Sequence, residues 1–457
     1  MTGAARQSDV EDAFAALRAA EAEVDLETRR GHLDALAREI RSHADEIAHA
    51  IDADFRGRPR VETMLAEVGF LLESIRWTSR RLRRWTRPTR VPLGPEFWPS
   101  RARVERTPLG VVGILSPWNY PVQLSLAPLV AALSGGNRVL LRPSEFTPRA
   151  AALIAEIAER AAPGRVRAVL GGPETAEAVT RLPLDGLFYT GSTATGRRVM
   201  AAAAENLVPV TLELGGKSPA ILLEDADLDR AARSIMAGKL FNAGQTCVAP
   251  DYLLAPRGKV PEVVQALRRA TANLHPDPTG PDYAALARDG DLRRLESLFA
   301  GVDRVALMET MPPPPRMGAW AVLDPDPEGA LMREEIFGPI LPVVPYDAPN
   351  EAAAFVNARP CPLALYVYGR PAACEAMVAR TRSGGAMIND SVVHVSAHAL
   401  PFGGAGASGM GAYHGEEGFR AFTRPRSILV RSRFAAVGLA RPPYGPRTER
   451  LIRFLLR

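Results

Sequence analysis

Cys247 stands in "FNAGQTCVAP", one of only three cysteines in a chain of 457 residues. A lone thiol reads either as a small buried hydrophobe or as a nucleophile whose thiolate needs supporting groups. Three stretches carry candidate support. In "PVTLELGGKSP", Glu213 alternates with apolar neighbours at a strand end just before Gly215-Gly216. A carboxylate there is either solvated at the sheet's carboxyl edge, where open α/β sheets bind ligands, or held in a cleft as a base. In "GILSPWNYPVQLS", Asn119 lies between Trp118 and Tyr120, in a turn set by Pro117 and Pro121. Its amide is a neutral donor for an oxyanion, or an ordinary turn residue. In "LFYTGSTATGRRVM", an apolar strand runs into Gly191-Ser192-Thr193 and then a helix. Free N–H groups and the positive dipole end suit a phosphate there. Gly191 permits close approach, Ser192 offers a hydroxyl, and Gly196 lets a ligand or a strand pack against the first turn. A capped βα turn without a ligand fits the same residues.

Other chemistries find less support. His394 and His398 in "VVHVSAHALPF" have metal-ligand spacing only if helical, and the β-branched residues with nearby Gly and Pro argue for a loop; no metal site is expected. Gly404, Gly406 and Gly409 form a G-x-G-x-x-G string, but the strand and helix that give such a string meaning are missing around it. Cys361 and Cys374 form no C-x-x-C with Cys247, so free thiols are expected rather than disulfides. The arginines interleaved with Trp77 and Trp85 in "SIRWTSRRLRRWTRPTR" resemble a nucleic-acid patch. Val68, Leu71, Leu72 and Ile75 at helical spacing make an amphipathic helix with solvated arginines the better reading. The basic "LIRFLLR" tail is too short to anchor a membrane.

The elements that must position these groups follow from texture. With 47% hydrophobic and 23% charged residues and a formal charge of +5, the chain suits a globular protein of several α/β units. The N-terminus has no apolar signal region and no run of about 18 apolar residues occurs, so a cytoplasmic protein is expected. Residues 8–86 read as successive helices. After a proline-marked break come extended segments in "RARVERTPLGVVGIL". Strands then alternate with helices from "RVLLRPSE" through "PVTLELGG", followed by a second α/β series with "PAILLEDAD", "GPILPVVPY" and "LALYVYG". Short apolar strands separated by helices predict parallel sheets, in two lobes with the chemistry near their junction.

Seven stretches, "PWNYP", "RPSEFTP", "YTGSTATG", "LELGGKSP", "FNAGQTC", "EEIFGP" and "PFGGAGASGMG", occur in the order and spacing of the aldehyde dehydrogenase superfamily, and the chain resembles that superfamily over nearly its whole length. "QTCVAPDY", "SGMGAYHG" and "RPPYGP" resemble its class-three branch, and "NDSVVHVSAHALPFGG" resembles bacterial coniferyl-aldehyde dehydrogenases. The resemblance implies a Rossmann-like cofactor domain, an α/β catalytic domain and a small β oligomerisation arm. The expected division is 1–89 and 109–215 for NAD(P) binding, 216–407 for catalysis, 90–108 and 420–434 for the arm, and 435–457 for a C-terminal tail. It implies Cys247 as nucleophile, Asn119 with the Cys247 N–H as oxyanion hole, and Glu213 as base for thioester hydrolysis. For the cofactor it implies Gly191, Ser192 and Gly196 at the pyrophosphate, Glu335 and Phe337 at the nicotinamide ribose, and Arg142, Ser144 and Glu145 at the adenosine ribose. Trp118 and Phe402 are expected in a substrate pocket for an aromatic or medium-chain aliphatic aldehyde.

One position departs from the family: Arg142 stands where "KPSE" usually has lysine, and a forked guanidinium does not replace an ammonium neutrally. NAD with some use of NADP is expected, because Glu145 repels a nearby 2′-phosphate. Two rivals are acyl transfer to coenzyme A, whose branches commonly lack the glutamate, and a non-catalytic protein on the same fold, which would not need Cys247, Asn119 and Glu213 together. A homodimer is expected by family likeness.

Overall fold

The computed structural model describes residues 7–299, 301–435, 437–438 and 441–456, so the expected first segment and tail are described only in part. A six-stranded sheet runs Gly409–Met410, Val210–Leu214, Gly186–Gly191, Val111–Leu115, Arg138–Arg142, Val166–Ala168. All neighbours are parallel except the short Gly409–Met410 edge. Its strands are near-continuous apolar runs because both faces are covered. Val112, Ile114, Val139 and Leu141 pack in the core with the helices Pro121–Gly135 and Pro148–Ala161. Val111, Leu115, Leu140 and Leu187 pack on the opposite side with Val179 and Val199. Strand order reverses between Val111–Leu115 and Gly186–Gly191, which opens a crevice beyond their carboxyl ends.

A seven-stranded sheet runs Arg304–Ala306, Trp320–Leu323, Ile340–Tyr346, Tyr252–Pro256, Pro219–Leu222, Ala364–Tyr368, Gly385–Ile388, parallel but for the first strand. A separate antiparallel sheet joins Thr89–Val91, Arg101–Pro108 and Thr423–Val430. Glu105 ties its two longer strands together, accepting from Arg103 at 2.7 Å and Arg426 at 3.1 Å.

The helices read from residues 8–86 appear as Gln7–Ala19, Leu26–Ser42, Ala44–Phe55, Arg60–Thr63 and Phe70–Trp85. A π-helical stretch, Met64–Gly69, interrupts them, a local widening that favourable helix-formers do not announce. These helices also cap others. Glu67 accepts from the backbone N–H of Val122 at 2.7 Å and Gln123 at 3.1 Å, and Asp54 from Ala150 at 2.9 Å and Arg149 at 3.3 Å. Pro121 and Pro148 start those two helices without side-chain caps of their own, so distant carboxylates meet the orphan donors and the dipole. Burial pushes Glu67 up to about 7, with Arg58 and the two amides opposing.

Candidate active site

The site forms where the carboxyl edge of the six-stranded sheet meets the amino edge of the seven-stranded one. From the first sheet come Glu213 near the end of Val210–Leu214, the Gly191-Ser192 turn, and Trp118-Asn119 after Val111–Leu115. From the second come Cys247, ahead of Tyr252–Pro256, and Glu335 and Phe337, ahead of Ile340–Tyr346. Two cavities adjoin there. One, of about 330 Å³, is walled mainly by apolar side chains including Phe70, Leu124, Phe241, Val392 and Tyr413. The other, of about 230 Å³, is walled by Asn119, Glu213, Glu335 and Phe337 among others. Cys247 borders both, as do Leu124, Phe402 and Tyr413.

The helix Leu228–Leu240 ends seven residues before the thiol. Asn242, Ala243 and Gly244 then adopt left-handed backbone angles, φ 52°, 50° and 78°, a strained run for residues other than glycine. A Cβ on Gly244 would sit 2.5 Å from the Gly338 carbonyl oxygen, so "FNAGQTC" and "EEIFGP" touch through a bare backbone. The surroundings hold this turn. The Asn242 N–H donates to Glu62 Oε2 at 3.0 Å and its side chain to the Asn119 carbonyl at 3.0 Å. Arg58, paired with Glu62 at 3.1 Å, donates to the same Asn119 carbonyl at 3.2 Å. Asn119 Nδ2 donates to the Gln245 carbonyl at 3.0 Å; an amide nitrogen carries two hydrogens, so one remains for a ligand.

Glu213 is buried, and neither carboxylate oxygen has a hydrogen-bond partner among the described residues. Desolvation alone therefore raises it well above the usual carboxylate range. Burial, then the Glu335 and Glu213 carboxylates, push the Cys247 thiol up to about 12. Burial, then Asp251, push Glu335 up to about 8, against a backbone N–H from Gly216 and two lysines. Asp251 pairs with Lys217 and accepts from the Ile336 N–H at 3.1 Å, fixing the loop that carries Glu335. A Cβ on Gly215 would collide with the Glu335 carboxylate.

A third cavity, about 690 Å³, opens over the strand-order reversal and is walled by Ser116, Ser144, Glu145, Gly191, Ser192 and Arg142, with others. A Cβ on Gly191 would collide with the Tyr189 hydroxyl, and Ser192 caps the helix Thr193–Ala204 by accepting from the Thr195 N–H at 3.3 Å. This crevice, with its bare glycine and helix start, fits a dinucleotide. Three residues sit differently from expectation. Gly196 borders none of these cavities: a Cβ there would lie 2.6 Å from Leu214 Cδ2, so its bareness serves helix-to-strand packing. Trp118 walls the Glu213 and Ser192 cavities rather than the apolar one, because its ring packs on Phe337 at 5.6 Å under the Arg288 guanidinium. Arg142 is buried and turned to protein: Nη2 donates to the carbonyls of Gly171 at 2.7 Å and Gly172 at 2.8 Å and pairs with Glu145 at 2.8 Å.

Phe402 lies in the wall common to both inner cavities, with its ring stacked on His414 at 5.2 Å. Sequence reasoning missed His414, Phe70, Leu65, Gln123 and Arg288 as wall residues. His414 lay in the quoted stretch "SGMGAYHG" and Gln123 in "GILSPWNYPVQLS"; the others come from helices and loops distant in sequence. His394 and His398 lie in and after a short 3₁₀ turn, Val393–Ser396. Among the described residues no group of three His, Cys, Asp or Glu is placed to hold a metal ion. Gly406 and Gly409 bridge each other in a turn whose far side pairs with the Glu213 strand.

The sequence profile described as "Aldehyde dehydrogenase family" matches residues 2–428. A "Probable coniferyl aldehyde dehydrogenase" of Pseudomonas aeruginosa is 42% identical over 423 residues, covering 89% of this chain and 87% of that protein. The dog "Aldehyde dehydrogenase, dimeric NADP-preferring" is 39% identical over 412 residues, covering 89% and 90%. A solved structure described as the substrate-bound state of Staphylococcus aureus AldH superposes with a TM-score of 0.92 at 34% identity, covering 98% of this chain and 99% of that one.

Proposed function

This chain belongs to the aldehyde dehydrogenase family, and from that premise we propose how its residues divide the work of NAD(P)-dependent aldehyde oxidation. Cys247 is the nucleophile. Its thiol gives up its proton to water, the thiolate sulfur bonds to the aldehyde carbon, and the carbonyl electron pair moves to oxygen. Asn119 Nδ2 and the Cys247 backbone N–H hold that oxyanion. NAD or NADP, when bound, supplies the acceptor for the substrate hydride. Glu213 then takes a proton from water, whose oxygen attacks the Cys247 thioester; the carbon–sulfur bond breaks and the acid leaves. Ser192, the Gly191 turn, Ser144 and Glu145 hold the cofactor's phosphate and adenosine parts, and Glu335 and Phe337 its nicotinamide end. The division at 215–216, with 90–108 and 420–434 as an arm, is proposed on the grouping into three sheets, which Gly409–Met410 crosses by pairing with Val210–Leu214.

The observation that carries this reading is the position of Cys247 on the wall shared by the apolar and the Glu213-lined cavities. An aldehyde entering through the first meets the thiol; water and cofactor meet it from the second. The apolar walls, rich in aromatic rings, fit an aromatic aldehyde of the coniferyl type better than a small polar one. A homodimer in the cytoplasm completes the proposal, supported by the likeness to a dimeric relative and by the exposed arm; no described helix is long and apolar enough to cross a membrane. Cys247→Ser should abolish aldehyde oxidation while cofactor binding survives. Glu213→Gln should give a pre-steady-state burst and then slow turnover; near-normal steady-state turnover in that variant overturns its role.

A further inference from the structure

The 690 Å³ cavity is walled by four arginines, and three of them are already matched. Arg142 pairs with Glu145 at 2.8 Å, Arg181 with Glu177 at 2.7 Å, and Arg288 with Asp291 at 2.7 Å. Arg198 differs. Its guanidinium donates to Thr195 Oγ1 at 3.3 Å, and among the described residues no carboxylate lies within ion-pair distance of it. It is carried on the helix that Ser192 caps, six residues on, about 9 Å along the axis from the phosphate-binding turn. The carboxylate expected to repel a 2′-phosphate, Glu145, is also neutralised by Arg142, whose buried guanidinium holds it from the protein side.

We propose that Arg198 is a specificity-determining residue that binds the 2′-phosphate of NADP, with the Arg142–Glu145 pair removing the opposing charge. The proposal rests on the reading of this cavity as the adenosine site. An unmatched arginine beside a cavity recognises a phosphate dianion by forked, charge-assisted hydrogen bonds, and it gives NAD no comparable partner. At position 142, where lysine is more usual, a single guanidinium nitrogen, Nη2, meets the two carbonyls and Glu145 together.

The test needs no turnover. Binding of adenosine 2′,5′-bisphosphate and of adenosine 5′-monophosphate to the cofactor-free enzyme is measured by calorimetry; the two probes differ only in the 2′-phosphate. The wild-type protein should bind the bisphosphate about tenfold more tightly. Arg198→Met should remove most of that difference and leave the monophosphate within about twofold, and Arg198→Lys should restore part of it. Equal affinities in the wild-type protein, or an Arg198→Met variant that still prefers the bisphosphate, overturns the proposal. Loss of both ligands' binding on blocking the cavity with a bulky Gly191→Trp change checks the site itself; if both still bind, the cavity reading fails and the role of Arg198 with it.

Discussion

At the scale of single residues, the nucleophilic role proposed for Cys247 is set against an unreactive resting state. Burial and two carboxylates push its thiol up to about 12, so below that pH the protonated form dominates and the thiolate fraction climbs about tenfold per pH unit. Alkylation of Cys247 by iodoacetamide in the cofactor-free enzyme, followed by peptide mass spectrometry to separate it from Cys361 and Cys374, should rise steadily from neutral to alkaline pH. Glu213 is itself raised, so its charge is absent at low pH and appears only as pH increases. Glu213→Gln should therefore accelerate alkylation mainly in the alkaline range, where the wild-type carboxylate repels the thiolate. A plateau reached by pH 7 would contradict this ordering of charges. The cysteine, the glutamate and the amide were all legible in the sequence, because each sits in a short stretch whose neighbours set a turn or a strand end. Their mutual charges were not, since those depend on which groups burial brings together.

At the scale of elements, the positioning of Asn119 depends on a buried clamp. Arg58 pairs with Glu62, holds the Asn119 carbonyl, and lies over the Tyr120 ring at 4.8 Å. Glu62 in turn accepts from Asn242, in the strained turn before Cys247. Removing one partner of a buried pair leaves an uncompensated charge and costs about 3–5 kcal/mol. Arg58→Met should lower the thermal midpoint and reduce kcat more than cofactor affinity, because Asn119, the proposed oxyanion donor, loses its anchor while the dinucleotide crevice is untouched. Unchanged kcat with a lowered midpoint would show that the clamp serves stability alone. The helix–strand alternation was readable from apolar periodicity, as were the sheet-forming runs. The π-helical stretch and the capping of Pro121–Gly135 by Glu67 were not, because a carboxylate more than fifty residues away carries no local signal.

At the scale of the whole molecule, the three-stranded arm leaves Val91, Trp98, Leu429, Val430 and Phe434 exposed, and Thr89–Val91 and Thr423–Val430 are its two edges. Apolar edge strands invite pairing with another chain. Sedimentation should give a dimer at micromolar concentration, and Leu429→Glu should yield a folded monomer with the same far-ultraviolet spectrum. A wild-type monomer, or a dimer indifferent to that change, would place the subunit contact elsewhere.

By itself the sequence determined the kinds of groups and the local shapes that present them: a thiol after a tight turn, a carboxylate at a strand end, an amide between prolines, and a glycine before a helix. Those follow from backbone sterics and hydrophobic periodicity, which act over a few residues. Only the tertiary structure decided that the carboxyl edge of one sheet meets the amino edge of the other, so that Glu213 and Cys247 share a cavity wall. It also decided that Trp118 walls the Glu213 and Ser192 cavities, that Gly196 packs on Leu214, and that Arg142 is tied to Glu145 while Arg198 has no acidic partner among the described residues. Such outcomes depend on contacts between segments far apart in the chain, where packing and charge pairing are settled jointly rather than residue by residue.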